Sequence, residues 1–419
     1  MSQEIDTRCE KAIEGGWVHG AIFCATNAAG DFSYMKALGQ RTLISGEKIP
    51  QRADDLLCLA SATSLITTIA ALQCVEDGTL TLAGDISHLA PELAGKQVIT
   101  GHTRAGSGGD GGGSSPTPVL EPVQGAPMTL EMLLTHSSGV VFDALHDHVG
   151  RWRRAFAPQD PNAQLTVEET HVDPLGFHPG QGWMWGHGID WVGRIVERVT
   201  SCTLGNFVQE RVFQPLGITD AQFYPVTREE LQQRQVDRHP DDPEGYGKAA
   251  LGGGGLMNKC AKGDFGGQGL FMTAPDFGKV LQSLLANDGK LLKPATVEGM
   301  FRDHLGSESS KCLHDTLTGP LGGFFSPDPA AKVATGHGLG GLVTLEDIEN
   351  GYGAGTLTWP AAMPILWFID RKNDLCGFGS IQATLAPGGT SRVPGLKIAF
   401  RKGIYVEHAA WKKQRSQMS

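Results

Sequence analysis

Leu59-Ala60-Ser61-Ala62-Thr63-Ser64-Leu65-Ile66-Thr67 opens a long apolar helical pattern, and the reading of this stretch decides the fold. From Ser61 to about Asp77, residues Leu65, Ile66, Ile69, Ala70 and Leu72 form the buried side, and Asp77-Gly78 supplies a stop. A serine in the first turn of such a helix lies beside unpaired backbone N–H groups and the positive end of the helix dipole. Both stabilise a developing oxyanion. The same placement suits a plain helix cap, so the serine gains chemical meaning only from the rest of the chain.

Outward from this helix, the pattern predicts a helix over Asp6 to Glu14 and strands over Ala21 to Asn27 and Asp31 to Gly39, with acidic-Gly turns as hairpin signals. A mostly helical middle follows, at Leu130 to Leu134, Trp191 to Val199, Leu204 to Val212 and Phe277 to Asn287. Late strands are expected over Gly341 to Leu345, Gly355 to Trp359, Ile365 to Ile369 and Cys376 to Gln382, then a closing helix around Leu396 to Trp411. Strands at both ends enclosing helices predict an α+β fold as one domain over residues 1–419. One sheet is drawn from both termini, and a helical lobe spans roughly 60–290. Ala105 to Pro116, AGSGGDGGGSSP, buries no apolar surface; with its surroundings, about 100–127, it reads as a flexible insertion.

The 419 residues carry a formal charge of −10, which argues against nucleic acid or an anionic membrane as partner, since both require a basic face. The start, MSQEIDTRCEKAIEGGW, lacks a basic segment followed by an apolar one, and Pro360 to Ile369 is about half the ~20 residues that span a bilayer. A cytoplasmic protein is expected. Cys9, Cys24, Cys58, Cys74, Cys202, Cys260, Cys312 and Cys376 show no C-x-x-C spacing and read as reduced, mostly buried thiols. No metal centre and no cofactor are expected.

The Ser61 segment resembles the S-x-x-K helix of serine β-lactamases and penicillin-binding proteins. It is most similar to the class C branch that includes fungal esterases and the lovastatin side-chain acyltransferase. Further landmarks recur in order: Leu133-Leu134-Thr135-His136-Ser137-Ser138-Gly139, His178-Pro179-Gly180 with Trp183-Met184-Trp185-Gly186-His187-Gly188-Ile189-Asp190-Trp191, Pro215-Leu216-Gly217-Ile218-Thr219-Asp220, Gly266-Gly267-Gln268-Gly269-Leu270 and Gly338-Leu339-Gly340-Gly341. The resemblance implies a β-lactamase/transpeptidase-like antiparallel sheet flanked by helices, with the active site between sheet and helical lobe.

The departures matter most. Ser64 stands where the family carries its proton-transferring lysine, and Trp185 where it carries a tyrosine. The third motif reads Trp359-Pro360-Ala361-Ala362-Met363, with Pro360 lacking a backbone N–H. A serine without a base is a poor nucleophile at neutral pH. The resemblance leaves Ser61 and Ala362 as oxyanion donors beside Ala361, and it places His187 where class C enzymes carry an asparagine facing the pocket. His187 is therefore the candidate base, for Ser61 or for a substrate proton directly. His337 is a second candidate, His136 reads as structural, and Trp183, Trp185 and Trp359 as walls of an apolar pocket.

Three functions remain open: acyl transfer or ester processing in fungal-type secondary metabolism by a degenerate Ser-x-x-Ser site, non-hydrolytic chemistry (a cyclase, dehydratase or isomerase) in the same pocket, or a catalytically inactive binding protein. The expected partner is a small-molecule substrate, a polyketide or terpenoid intermediate or a carrier-bound acyl donor. A competent β-lactamase is not expected.

Overall fold

The computed structural model describes residues 2–16, 18–43, 48–103, 117–158, 160, 162–237, 260–328, 332–359, 365–383 and 393–418. Among these, nine strands join in one antiparallel sheet. Its order is Thr335–His337, Leu342–Thr344, Leu357–Trp359, Ile365–Asp370, Leu375–Ala383, Val18–Thr26, Ser33–Leu43 and Lys48–Pro50, with Val236–Asp237 also paired to Ser33–Leu43. The first strand of the chain therefore pairs with the last, in the register Phe23 opposite Gly379. This is the sheet built from both termini that the sequence predicts.

Alternation along these strands feeds two cores, because successive side chains point to opposite faces. Ile22 and Cys24 with Ile365, Trp367 and Ile369 join the core beneath the helical lobe. Ala21, Phe23 and Ala25 with Leu366 and Phe368 face the other way, against the terminal helices Ser2–Glu14 and Val393–Met418. Phe23 stacks on Phe400 at 4.6 Å on that side, and Phe277 of the helix Ala274–Ala286 meets Phe378 at 5.0 Å on the other. Strands covered on both faces read as near-continuous apolar runs.

The helices Leu130–Leu134 and Ala274–Ala286 lie where the periodicity places them. The expected Leu204 to Val212 helix instead ends at Val208 and passes into a π-turn, Gln209–Phe213. The 100–127 insertion needs correction: Gln97–His102 and Pro118–Pro122 pair as an antiparallel hairpin, with Ile99 bound to Leu175 across the lobe. The β-branched Val98, Ile99 and Val119 are strand formers that the Gly-Ser composition between them masks. The Gly-rich residues 104–116 lie outside the described residues. Among the described residues, no helix is long and apolar enough to cross a membrane.

Candidate active site

Leu57–Cys58 pairs with Leu270–Met272 and leads into Ala60, which adopts a left-handed backbone with φ of 49°. That conformation costs a non-glycine residue about 1–2 kcal/mol. Ser61 follows in a single 3-10 turn, Ala60–Ala62, before the main helix Thr63–Glu76 begins. The cap positions of these two segments, Leu59 and Ala62, carry no side-chain cap bond, so Ser61 is not the helix cap its position suggested. It lines a cavity of about 310 Å³ with Ser64, Phe142, Arg153, His171, Asp173, Trp185, His187 and Asp190.

The helix is pinned against the segment Gly266–Leu270 by its own threonines. Thr67 Oγ1 donates to the Gly266 carbonyl at 2.7 Å, and Thr63 Oγ1 accepts from the Leu270 N–H at 3.2 Å. Ser64 Oγ makes a long bond, 3.4 Å, to the Gly267 carbonyl. A neutral hydroxyl thus lies on the cavity at the position where the resemblance implies a lysine.

The opposite wall is two turns laced together. Met184 N–H donates to His136 O, Gly180 N–H to Ser137 O, and Phe142 N–H to Trp185 O. Gly186 is required between Trp185 and His187, because a Cβ there would lie 2.1 Å from the Val140 carbonyl oxygen. This close approach sets Trp185 against Phe142, with ring centroids 4.5 Å apart, and buries the His187 ring at 3.9 Å from the same phenyl.

His187 stands immediately before the helix Gly188–Thr200, whose first turn carries Asp190. Asp190 Oδ2 lies 3.6 Å from His187 Nδ1 and 3.1 Å from His171 Nε2, while its Oδ1 accepts the Gly267 N–H at 2.7 Å. His171 reaches this point by closing a one-turn helix, Val167–Thr170, started by a Thr166–Glu169 capping box. The two imidazoles stack at 4.0 Å. Burial, reinforced by the neighbouring His171, pushes His187 down to about 4, although Asp190 pulls the other way. Burial alone would raise Asp190, but the bonds from His171 and His187 hold it well below the usual carboxylate range. The site therefore carries an ionised carboxylate and a neutral His187 at pH 7.

Of the residues singled out from sequence, Ser61, Ser64, Trp185 and His187 meet on one cavity. His187 is buried and faces a carboxylate. Trp183, Trp359 and His337 instead pack behind Trp185 in a second aromatic cluster with His136, with Trp185 and Trp359 centroids 6.2 Å apart. His337 Nδ1 bonds its neighbour's carbonyl, Gly338 O, at 2.7 Å. Pro360, Ala361, Ala362 and Met363 lie outside the described residues.

Sequence reasoning missed His171, and it quoted Asp190 only as part of the Asp-Trp landmark. His171 precedes Asp190 by 19 positions in an otherwise ordinary stretch. The capping box is the one local signal there, and it marks a helix, not a ligand. Arg153 and Asp173, paired at 3.2 Å on the cavity wall, also went unnoticed.

Comparison with known proteins matches residues 16–362 to the Beta-lactamase family model. The chain is 53% identical over 98% of its length, and 100% of the relative's, to the lovastatin esterase of Penicillium rubens. It is 31% identical to the monacolin J acid methylbutanoyltransferase of Aspergillus terreus, covering 96% of this chain and 95% of that one. Among solved structures, a simvastatin synthase mutant from Aspergillus terreus superposes with a TM-score of 0.82 at 31% identity, covering 98% of each chain. The large antiparallel sheet with its flanking helices is the β-lactamase/transpeptidase fold.

Proposed function

The chain belongs to the β-lactamase family, and from that membership and the composition of its cavity we propose that it processes esters or transfers acyl groups on a small molecule of specialised metabolism. Ser61 is the nucleophile in this reading. His187, backed by Asp190, takes over the proton work of the absent lysine and tyrosine. The observation that carries it is the convergence of Ser61, His187 and Asp190 on one cavity whose relatives are named as esterases and acyltransferases.

In the acylation step Ser61 Oγ bonds to the ester carbonyl carbon as its proton passes to the His187 nitrogen remote from Asp190. A histidine whose Nδ1–H faces a carboxylate presents its other nitrogen as the acceptor. The oxyanion faces the Ser61 N–H at the helix start. Collapse breaks the bond to the alcohol oxygen, which takes the proton from the imidazolium. An acceptor, water or a second alcohol, then repeats the sequence in reverse and frees Ser61. Polyketide esters of the monacolin type, or a carrier-bound acyl donor, are the proposed substrates.

Covalent labelling by a fluorophosphonate tests this directly. Wild type is expected to label at Ser61, and both Ser61→Ala and His187→Ala to lose labelling and turnover to a similar extent, because members of one proton-transfer unit are not additive. A fully active His187→Ala variant overturns the assignment. The substitutions Ser64 and Trp185 favour a second reading, in which His187 acts on a substrate proton in a cyclisation, dehydration or isomerisation. In that case His187→Ala is severe while Ser61→Ala retains most activity.

A further inference from the structure

Two imidazoles and a carboxylate meet on the wall of this cavity with no lysine or arginine bonded to that carboxylate among the described residues. His171, His187 and Asp190 are all buried, and their three donor atoms lie within 4.8 Å of one another. The two spacings from Asp190 Oδ2, 3.1 and 3.6 Å, bracket the edge of a tetrahedron around zinc, roughly 3.3 Å for bonds of about 2.0–2.1 Å. Asp190 Oδ1 is already held by the Gly267 N–H, which fixes the carboxylate plane and leaves Oδ2 toward the histidines. Such outer support is characteristic of carboxylate ligands.

We propose that His171, His187 and Asp190 form a binding site for a divalent first-row cation, zinc foremost, with its remaining coordination position open to the cavity. Two nitrogens and one oxygen suit zinc, and three protein ligands with an open position match zinc sites that also take water or substrate. Both rings stack at an interplanar angle of 26°, so binding opens them until both lone pairs meet at one point. A cation also offsets the buried Asp190 charge, to which no lysine or arginine is bonded among the described residues. The cysteine spacing held no hint of such a site, because its ligands are not cysteines.

Ligation has a consequence for the proton transfer proposed above, and this consequence alone rests on that reading. A histidine bound to metal through Nδ1 keeps its proton on the other nitrogen and accepts none from Ser61. Metal occupancy and fluorophosphonate labelling of Ser61 are then mutually exclusive.

Titration calorimetry of Zn²⁺ into the EDTA-stripped full chain tests the site without any turnover. One Zn²⁺ per chain is expected, weakened by more than the ~10–100-fold typical of an outer-shell loss in His171→Ala and Asp190→Asn. The half-buried pair His102 and His148, whose Nδ1 atoms lie 3.2 Å apart, is the competing location, so His102→Ala is expected to bind as wild type does. If Asp190→Asn fails to fold, Co²⁺ added to wild type and to His171→Ala decides: a visible tetrahedral band in the first, lost in the second. Absence of binding by wild type, unchanged binding in His171→Ala, or loss only in His102→Ala overturns the proposal. Zinc bound at the site with Ser61 labelling undiminished leaves the site standing and refutes the Ser61–His187 pairing instead.

Discussion

Two histidine clusters flank Trp185, and they differ in one partner. On the cavity side, His171 and His187 share Asp190. Behind the tryptophan, His136 and His337 lie among Trp183 and Trp359; among the described residues no carboxylate is bonded to either ring, and none gives His136 Nδ1, His337 Nε2 or the two indole N–H groups a hydrogen-bond partner. Burial pushes His187 and His337 down alike, each to about 4. A displaced pKa therefore does not separate the histidine proposed as base from the packed one. A buried carboxylate and a cavity do, because proton transfer needs a counter-charge and a place for substrate.

The largest expected contrast follows from that difference. With lovastatin as probe ester, His187→Ala is predicted to lower kcat by about 10²–10⁴, the range for a lost general base, while His337→Ala stays within a few-fold of wild type. Equal losses from the two variants erase the distinction between the clusters.

The packed cluster is expected to answer in stability. Trp359 is 5% exposed and touches His136, Trp185, His337 and Phe325. Trp359→Ala is predicted to cost about 3–5 kcal/mol of unfolding free energy, measured by urea titration, as large-to-small core changes do. A loss below about 1 kcal/mol means that the cluster is not a packing unit.

A smaller effect concerns the old chemistry. Ser64→Lys combined with Trp185→Tyr is predicted to raise nitrophenyl-ester turnover above a near-background wild type by about tenfold or more, whereas Ser64→Lys alone changes it little. If the single variant matches the double, lysine and tyrosine do not share the proton work.

The smallest expected effect sharpens the comparison with a third histidine. His304 Nδ1 lies 2.7 Å from Glu131 Oε1, and its Nε2 bonds Gly299 O. Burial lowers its pKa, but Glu131 and that carbonyl outweigh it and the net shift is upward. A raised folded-state pKa contributes stability that is fully present below the unfolded value of about 6.5 and is lost as pH rises through the folded value. His304→Gln is therefore predicted to be less stable than wild type at pH 5, by at most about 1 kcal/mol for this partly exposed pair, with the gap narrowing above neutrality. A gap that widens with pH reverses the sign and refutes the assignment.

The apolar runs that meet in the sheet, the apolar face behind Ser61 and the ordered landmarks were all legible in the chain, because apolar runs bounded by turn residues and helix spacing are local properties. So were Ser64 and Trp185, since a missing lysine or tyrosine shows by its identity alone. That Ser61 is not a helix cap was hidden, because the left-handed Ala60 and the 3-10 turn that shift it off the cap directly follow a strand paired with Leu270–Met272, more than 200 positions away. The hairpin flanking the Gly-rich stretch was hidden for a similar reason: its strands are stabilised by pairing across the insertion and by contact with Leu175.

Sequence by itself determined the fold, through its ordered landmarks, and singled out Ser61, Ser64 and Trp185. Only the tertiary structure decided which other side chains share the cavity with them. It sends Trp183, Trp359 and His337 behind Trp185, and it brings His171 from a one-turn helix to the same carboxylate oxygen as His187. The physical reason is that a carboxylate's partners are set by the packing of separate segments, here through Gly186 against Val140 and Gly267 against Asp190, and that packing has no periodicity along the chain.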